Sequence, residues 1–563
     1  MRNTSRLRSL ALLRHELDRY AVFTAAAAFT LCAAGVATNE VELPGGTLTL
    51  ALFPAGLLAA DLLRPGNLLG RELRGAAGWS AMVLVAFELV PFLISSPLVA
   101  LGLPLAVGLA ILIAKFPATA TVLALFFSAI LGSFQAFLGF GAQPVVDVIL
   151  VGIWLVLLGR VILGRPYGFA VWPAILGCGL YVGLTIVDMV TADDLGLAWF
   201  GFRTSVWYML AFFALAYAGW SRKTYRRIAY GFVAVAAIVG AYATLRWVIG
   251  PAGVERSLAT FTANGINVNP VDGHLRTVGS FLTGHQLAFW TAFMAPFCVA
   301  VALLAGGRRQ LLALGATGLC ILAMIASEAR GPIAGFVIGV IVVLGLYQVS
   351  RAYPGFKAGI AMLAIGAVAV TGGAVVALEA SDPDRLERYT NILDPESDAT
   401  FIGRQIKWEQ ILPAIEDRPF GHGLGSGGAA QQAVGENLEV SSIVIDNSYL
   451  MIAYEQGVFV LALFGVAVLG LLVSLAVAAV RTPSREAAAL GMGACGTLVS
   501  MLVSFYTGPY IETPAVVSGW LIVGLGLSYF VARDIPEEAP ATEPARAPAI
   551  GPSREAFPAP GQI

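Results

Sequence analysis

Long apolar runs, broken by short polar stretches, recur along the 563-residue chain. They predict membrane-crossing helices near 21–38, 46–63, 76–94, 98–114, 118–138, 144–163, 169–190 and 204–220. In the second half they predict helices near 228–250, 285–305, 310–327, 332–350, 358–378, 449–478, 487–507 and 514–532. The apolar positions are continuous and do not alternate at period two, which excludes a transmembrane β-barrel. Connections are short except at about 251–284 and about 379–448. The expected fold is an all-α polytopic membrane protein of about 12–16 transmembrane helices with one large extracytoplasmic loop.

Composition agrees with this pattern. Hydrophobic residues make up 58% of the chain and charged residues 12%, and the mean hydropathy is +0.80. Soluble domains carry about 45–50% apolar and about 25% charged residues. Lys and Arg in short connections resist translocation, and 24 of the 34 fall at the N-terminus, at every second connection or in the tail. This predicts an inner-membrane protein with both termini cytoplasmic and both long connections outside. The expected organisation is a basic cytoplasmic segment (1–20), N-terminal transmembrane helices (21–250), a second transmembrane unit (251–535) containing the outer loop at about 379–448, and a Pro/Ala-rich, disordered cytoplasmic tail (536–563). The first apolar run leads directly into further spans and reads as a retained helix, not a cleaved signal. The five cysteines lie far apart inside apolar runs and read as packing residues.

This orientation determines which polar residues can meet. Arg276 stands before a span that begins on the outer side, and Arg330 lies in a short outer turn. Arg404, His422 and the Asp446–Asn447 pair belong to the large outer loop. Each also has an ordinary explanation. Arg330 could snorkel to the interface, Arg404 could be a solvated loop residue, and Asp446–Asn447 ahead of an apolar run reads as a helix N-cap. His274 and His285 read as interfacial. The glycine-rich stretch around His422 lacks the spacing of a nucleotide phosphate loop. The four histidines show no metal-ligand spacing, so neither metal nor cofactor is expected.

The order of these pieces resembles that of the O-antigen ligase and polysaccharide polymerase superfamily. The pattern covers roughly residues 270–470 and begins with the stretch GSFLTGHQLA entering a span. It continues with Ser327–Glu328–Ala329–Arg330–Gly331 at an outer turn, and with Arg404 ahead of Trp408 in the large loop. The turn Pro419–Phe420–Gly421–His422–Gly423–Leu424–Gly425 follows, and then Asn447, Tyr449, Leu450, Glu455 and Gly457 at a helix start. The ligases usually carry His before that Asn, where this chain has Asp446. That difference resembles the polymerase and exopolysaccharide branches.

The resemblance implies transfer of an undecaprenyl-diphosphate-linked glycan to an acceptor hydroxyl on a glycan or lipid core, outside the cytoplasm. Its implied partners are this donor, the acceptor, membrane lipid and, as a candidate, a chain-length regulator protein; no nucleic-acid partner is implied. Diphosphate departure builds negative charge, which the planar arginine fork stabilises in bidentate fashion. Arg330 and Arg404 are the first candidates for this role, with Arg276 behind them. Asp446 or His422 could take the acceptor proton, and Asn447 and Glu455, two helical turns apart, could orient the site. The alternative is a secondary transporter or lipid-linked glycan flippase. Such proteins place ionisable groups at mid-membrane, where this sequence offers little beyond Glu88, with Asp147 and Asp188 near span ends.

The topology is open to test. A Ser397→Cys variant in intact cells should react with a membrane-impermeant thiol reagent. Labelling only after membrane disruption would invert the orientation.

Overall fold

The computed structural model describes residues 116–130, parts of 132–154, 172–251, parts of 262–275, 276–353, 399–427 and 445–531. The spans expected before residue 115 and at 358–378, the tail, Cys32, Glu88 and the loop parts at 379–398 and 428–444 lie outside these residues.

Thirteen α-helices follow one another among the described residues. They are α1 (Pro117–Ala129), α2 (Pro173–Thr191), α3 (Leu195–Phe202), α4 (Leu210–Ala216), α5 (Arg222–Ile249), α6 (Gly284–Leu304), α7 (Arg308–Ala326), α8 (Gly331–Val349), α9 (Ala399–Asp417), α10 (Ser448–Gln456), α11 (Val458–Arg481), α12 (Arg485–Phe505) and α13 (Val516–Val531). Seven of them are long and apolar enough to cross a membrane: α2, α5, α6, α7, α8, α11 and α12. The chain is an all-α multi-pass membrane protein.

Several expected spans take a different form. The run at 204–220 is interrupted: α3 passes into a π-helical turn at Arg203–Trp207 before α4. There Arg203 pairs with Asp147 at 2.7 Å, and Trp207 Nε1 donates to the same carboxylate at 3.1 Å. Asp147 thus has a fixed ionic partner beside a local helix defect of a kind that often marks functional positions. The run at 449–478 is two helices, α10 and α11, divided at Gly457 with φ 92°. The loop expected to hold Arg404 contains a 19-residue helix, α9. The connection near 251–284 carries two two-residue antiparallel ladders, Thr262–Ala263 with Ile266–Asn267 and Pro270–Val271 with His274–Leu275.

Burial ranks the helices. In α6 and α12 the apolar window is 89% buried, against 22–28% in α2, α8 and α11, so α6 and α12 form the centre of the bundle. Small residues let them approach closely, as in lipid, where packing rather than water drives association. A side chain on Gly496 of α12 would meet Val343 and the Gly339 oxygen of α8 and Pro296 of α6. Neutral hydrogen bonds link the helices: Trp290 Nε1 donates to Ser518 Oγ (2.9 Å), which lies 2.6 Å from Ser128 Oγ. Thr497 Oγ1 donates to the Phe293 carbonyl (2.9 Å), one turn before Pro296 interrupts the α6 ladder. Cys178, Cys298, Cys320 and Cys495 are buried free thiols in this packing.

The bundle has two chemically different ends. At one end the basic residues gather: Arg351 N–H donates to the Val480 carbonyl, Arg485 lies over the Tyr353 ring, and Arg226 approaches Glu486 at 3.9 Å. The opposite end contains the start of α6, the α7–α8 turn, α10 and the α12–α13 turn.

Candidate functional site

The α7–α8 turn presents Arg330. Glu328 takes a left-handed conformation (φ 57°), which costs a residue with a side chain about 1–2 kcal/mol. It turns the chain so that Arg330 becomes the N-cap residue of α8. Gly331 follows because Thr507 of the α12–α13 turn leaves no room there for a Cβ. The Arg-Gly pair thus places a cation against a second loop.

Arg276 approaches from the segment before α6. Its Nη1 lies 3.0 Å from His285 Nε2 and 3.2 Å from Nδ1. A Cβ on Gly284 would touch both Arg276 and the Ser327 carbonyl, so the Arg276 segment and the Ser327–Arg330 turn are neighbours. Arg404 lies on α9 with Lys407 and Trp408 at helical spacings of three and four, and therefore on one face. Lys407 Nζ lies 3.0 Å from Asp446 Oδ2, and Trp408 meets Tyr506 edge-on with centroids 5.1 Å apart.

The cap of α10 belongs to Asn447, not Asp446. Asn447 Oδ1 accepts from the backbone N–H of Tyr449 (2.9 Å) and Leu450 (3.2 Å). The Asp446 carboxylate is directed instead to Lys407. At the far end of α10, the Pro419–Gly425 turn receives the helix: His422 N–H donates to the Tyr454 carbonyl (2.9 Å), Gly423 N–H to Glu455 (3.0 Å), and Val458 N–H to Pro419 (3.0 Å). The His422 imidazole stacks on Tyr454 at 4.2 Å. Asp446 and Tyr454 are separated by eight residues of helix, about 12 Å. Asp446 and His422 therefore stand at opposite ends of α10. Asn447 and Glu455 are likewise apart, each engaged with backbone N–H groups.

At nine residues α10 is too short to span a bilayer. Its Glu455 is buried, and Oε1 accepts from Gly427 N–H at 3.0 Å. Burial pushes this carboxyl well above the ordinary range, nearby Glu512 pushes it further, and the N–H groups of Gly427 and Gly425 pull against both.

The structure brings Arg276, Arg330, Arg404 and Asp446 around the 506–512 turn; His422 stands at the other end of α10, where Glu455 lies near Glu512 at the close of that turn. Sequence reasoning missed Lys407, although its i, i+3 spacing from Arg404 was visible. It also missed Tyr510, whose short inter-span loop carries no motif. Burial pushes the Tyr510 phenol up to about 12, Arg404 and Arg276 act to lower it, Asp446 acts to raise it, and a hydrogen bond with Thr507 acts to lower it. One hydroxyl thus feels three of the predicted residues.

The arrangement is that of a multi-pass membrane protein with cations and a carboxylate at one end of its bundle. Residues 315–465 match the family model described as O-antigen ligase, the superfamily that the sequence pattern resembles. That segment contains Arg330, Arg404, Lys407, His422, Asp446, Asn447 and Glu455, and the similarity suggests a membrane glycan ligase or polymerase role. No curated protein matches the chain.

Two outcomes follow. Asn447→Ala removes the α10 cap and should lower stability by about 1 kcal/mol or more, whereas Asp446→Asn should leave the melting temperature unchanged; equal melting temperatures for the two would contradict the cap assignment. Glu455, with its raised folded-state pKa, favours folding fully only below the unfolded value, near 4.5. That contribution is lost as pH rises through the folded value. Glu455→Gln keeps an acceptor for Gly427 and should flatten the decline in melting temperature above pH 5; a parallel decline in both proteins would refute the effect.

Proposed function

We propose that this protein transfers a glycan from an undecaprenyl-diphosphate carrier to an acceptor hydroxyl, as a ligase or polymerase of surface polysaccharide, at the extracytoplasmic face of the inner membrane. The observation that carries this reading is the gathering of Arg276, Arg330, Arg404 and Asp446, from four separate chain segments, at the bundle end opposite the basic cluster. That end is extracytoplasmic if positive charge marks the cytoplasm.

In the reaction the sugar C1–O bond to the diphosphate breaks and a bond from C1 to the acceptor oxygen forms. The acceptor proton passes to Asp446, and undecaprenyl diphosphate departs with the electron pair. Arg330 and Arg404 stabilise the charge on the leaving diphosphate, with Arg276 supporting them. Lys407, 3.0 Å from Asp446, orients the carboxylate. His422, at the far end of α10, serves the turn that holds the helix. No metal takes part in this scheme, and activity is expected to survive chelation. The donor glycan, the acceptor and a chain-length regulator are the partners it calls for.

The test is turnover of lipid-linked glycan by the purified protein. Lysine keeps the charge but loses the planar fork, so Arg330→Lys and Arg404→Lys should both be impaired, and the alanine variants should lose about 10²–10³-fold. Asp446→Asn should fold normally and form little product. Wild-type turnover in both alanine variants, at normal protein levels, would return the arginines to interfacial anchoring and end the proposal.

A further inference from the structure

Helices α5 and α7 lie side by side and start together at the basic end of the bundle. The Arg309 guanidinium lies over the Tyr230 ring, 5.1 Å from its centroid, and a Cβ on Gly240 would meet Leu319 at 2.9 Å. Beside this seam is a hollow of about 430 Å³, lined by Ala237, Leu311, Leu312, Gly315, Leu319 and, at the start of α7, Arg308. Leu311 and Leu312 are 69% and 67% exposed, so the hollow is open along its side. It shares no residue with the site described above.

Gly315 is the informative residue. A Cβ added there meets nothing within 4 Å, so no packing inside the protein requires a glycine, which costs a helix about 1 kcal/mol relative to alanine. Small residues in membrane helices usually serve close helix approach and then recur four residues apart. Here the positions one turn to either side are Leu311 and Leu319. The result is a notch between leucines, not the flat seam of a helix pair. From Arg308 to Leu319 the lined stretch of α7 is about 16 Å long, close to half of the roughly 30 Å hydrocarbon core, and so to one leaflet. Its charged end favours an anion. Gly307 caps α7 with no side-chain hydrogen bond, and the first turn contains no acidic residue, which leaves backbone N–H groups turned toward that end. Arg308 and Arg309 open the helix, and Arg227 stands one turn before Tyr230 on α5.

We propose that this groove is a binding site for an anionic phospholipid of the leaflet at the basic end: one acyl chain lies over Gly315 between Leu311 and Leu319, and the headgroup phosphate meets Arg308, Arg309 and the start of α7. Basic pockets between membrane helices select anionic headgroups in this way. A zwitterionic lipid offers the same chain but carries its own cation toward the arginines, so the headgroup decides the selectivity and the notch decides the place. The inference does not depend on the reaction proposed above.

The experiment titrates the full-length protein in detergent with phosphatidylglycerol, phosphatidylcholine or inorganic phosphate and follows the melting temperature, which a ligand of the folded state raises by mass action. Phosphatidylglycerol should stabilise the wild type, phosphatidylcholine should need roughly tenfold more lipid, and phosphate alone should do nothing. Arg308→Gln, which removes a charge-assisted contact, should weaken the phosphatidylglycerol response roughly tenfold. Gly315→Leu fills open space, so it should fold normally and weaken the response to both lipids. Arg351→Gln, a charge change at the same end beside α11, should respond like wild type. Equal stabilisation by the two lipids, or by phosphate, would overturn the proposal. So would an unchanged response in both Arg308→Gln and Gly315→Leu, or an equal loss in Arg351→Gln, which would reduce the effect to general surface charge. A dimer seen by light scattering that Gly315→Leu dissolves would assign the notch to a second copy of the chain and equally overturn it.

Discussion

The end of a helix leaves carbonyls without intrahelical donors, and the end of α10 lies where they must find partners within the protein. The Pro419–Gly425 turn supplies them, and much of the local sequence follows from that requirement. Gly423 N–H donates to the Glu455 carbonyl, and Val458 N–H reaches back to Pro419. The two strands of this clasp are so close that a Cβ at Gly421 would strike the Glu455 carbonyl, and one at Gly457 would lie 2.5 Å from the Pro419 oxygen. Gly421, Gly423 and Gly457 also have positive φ, at 94°, 97° and 92°, where a side chain is strained. The glycines serve a backbone-to-backbone contact and not a phosphate cradle. Because the clasp breaks the helix at Gly457, α10 is aimed independently of α11, and its N-terminus meets α9 and the 506–512 turn.

Hydrocarbon enforces the rest. Charges are costly at mid-membrane, and the central helices accordingly join through neutral groups such as Trp290–Ser518 and Thr497–Phe293. The ionisable groups are driven to the ends, where loops can bring them together. Arg203 is a partial exception. Its pairing with Asp147 and the Trp207 indole at a π-helical turn shows how the bundle accommodates a charge: it is given a partner and a second hydrogen bond, since an unpaired buried charge is strongly destabilising. Gly201, just before that turn, packs against Gly425, so this pair lies beside the clasp.

Hydropathy made the spans legible, because a run such as 285–305 has only one use in a membrane protein. The residues of the site were legible where they belong to an ordered motif, as Arg330 and Asp446 do. The breaks were not. Gly457 follows Glu455–Gln456 inside a long apolar run, and only the clasp turns that glycine into a boundary. Helix α9 was hidden because its many charges read as loop, although Ile411 and Ile415, one turn apart, join the core; once it is a helix, Arg404, Lys407 and Trp408 fall on one face. Tyr510 was hidden for a different reason. It stacks on Phe289, more than two hundred residues earlier in the chain, and no local spacing records such an encounter.

The exchange at Asp446 becomes intelligible at the same level. The ligases that the sequence resembles usually carry histidine before the capping Asn. Here the position faces Lys407 at 3.0 Å. A histidine that gained a proton during the reaction would set two positive charges against each other across that distance, a repulsion that grows as the dielectric constant falls. A carboxylate turns the same contact into an attraction, and it becomes neutral, not cationic, when it accepts a proton. Lysine and aspartate are therefore matched to each other. The matching is independent of the fold around them, because Asn447 caps α10 through its own side chain and leaves the preceding residue free of structural duty. A position relieved of capping and next to a lysine is where the acid–base character of such a site can change without the helix being rebuilt.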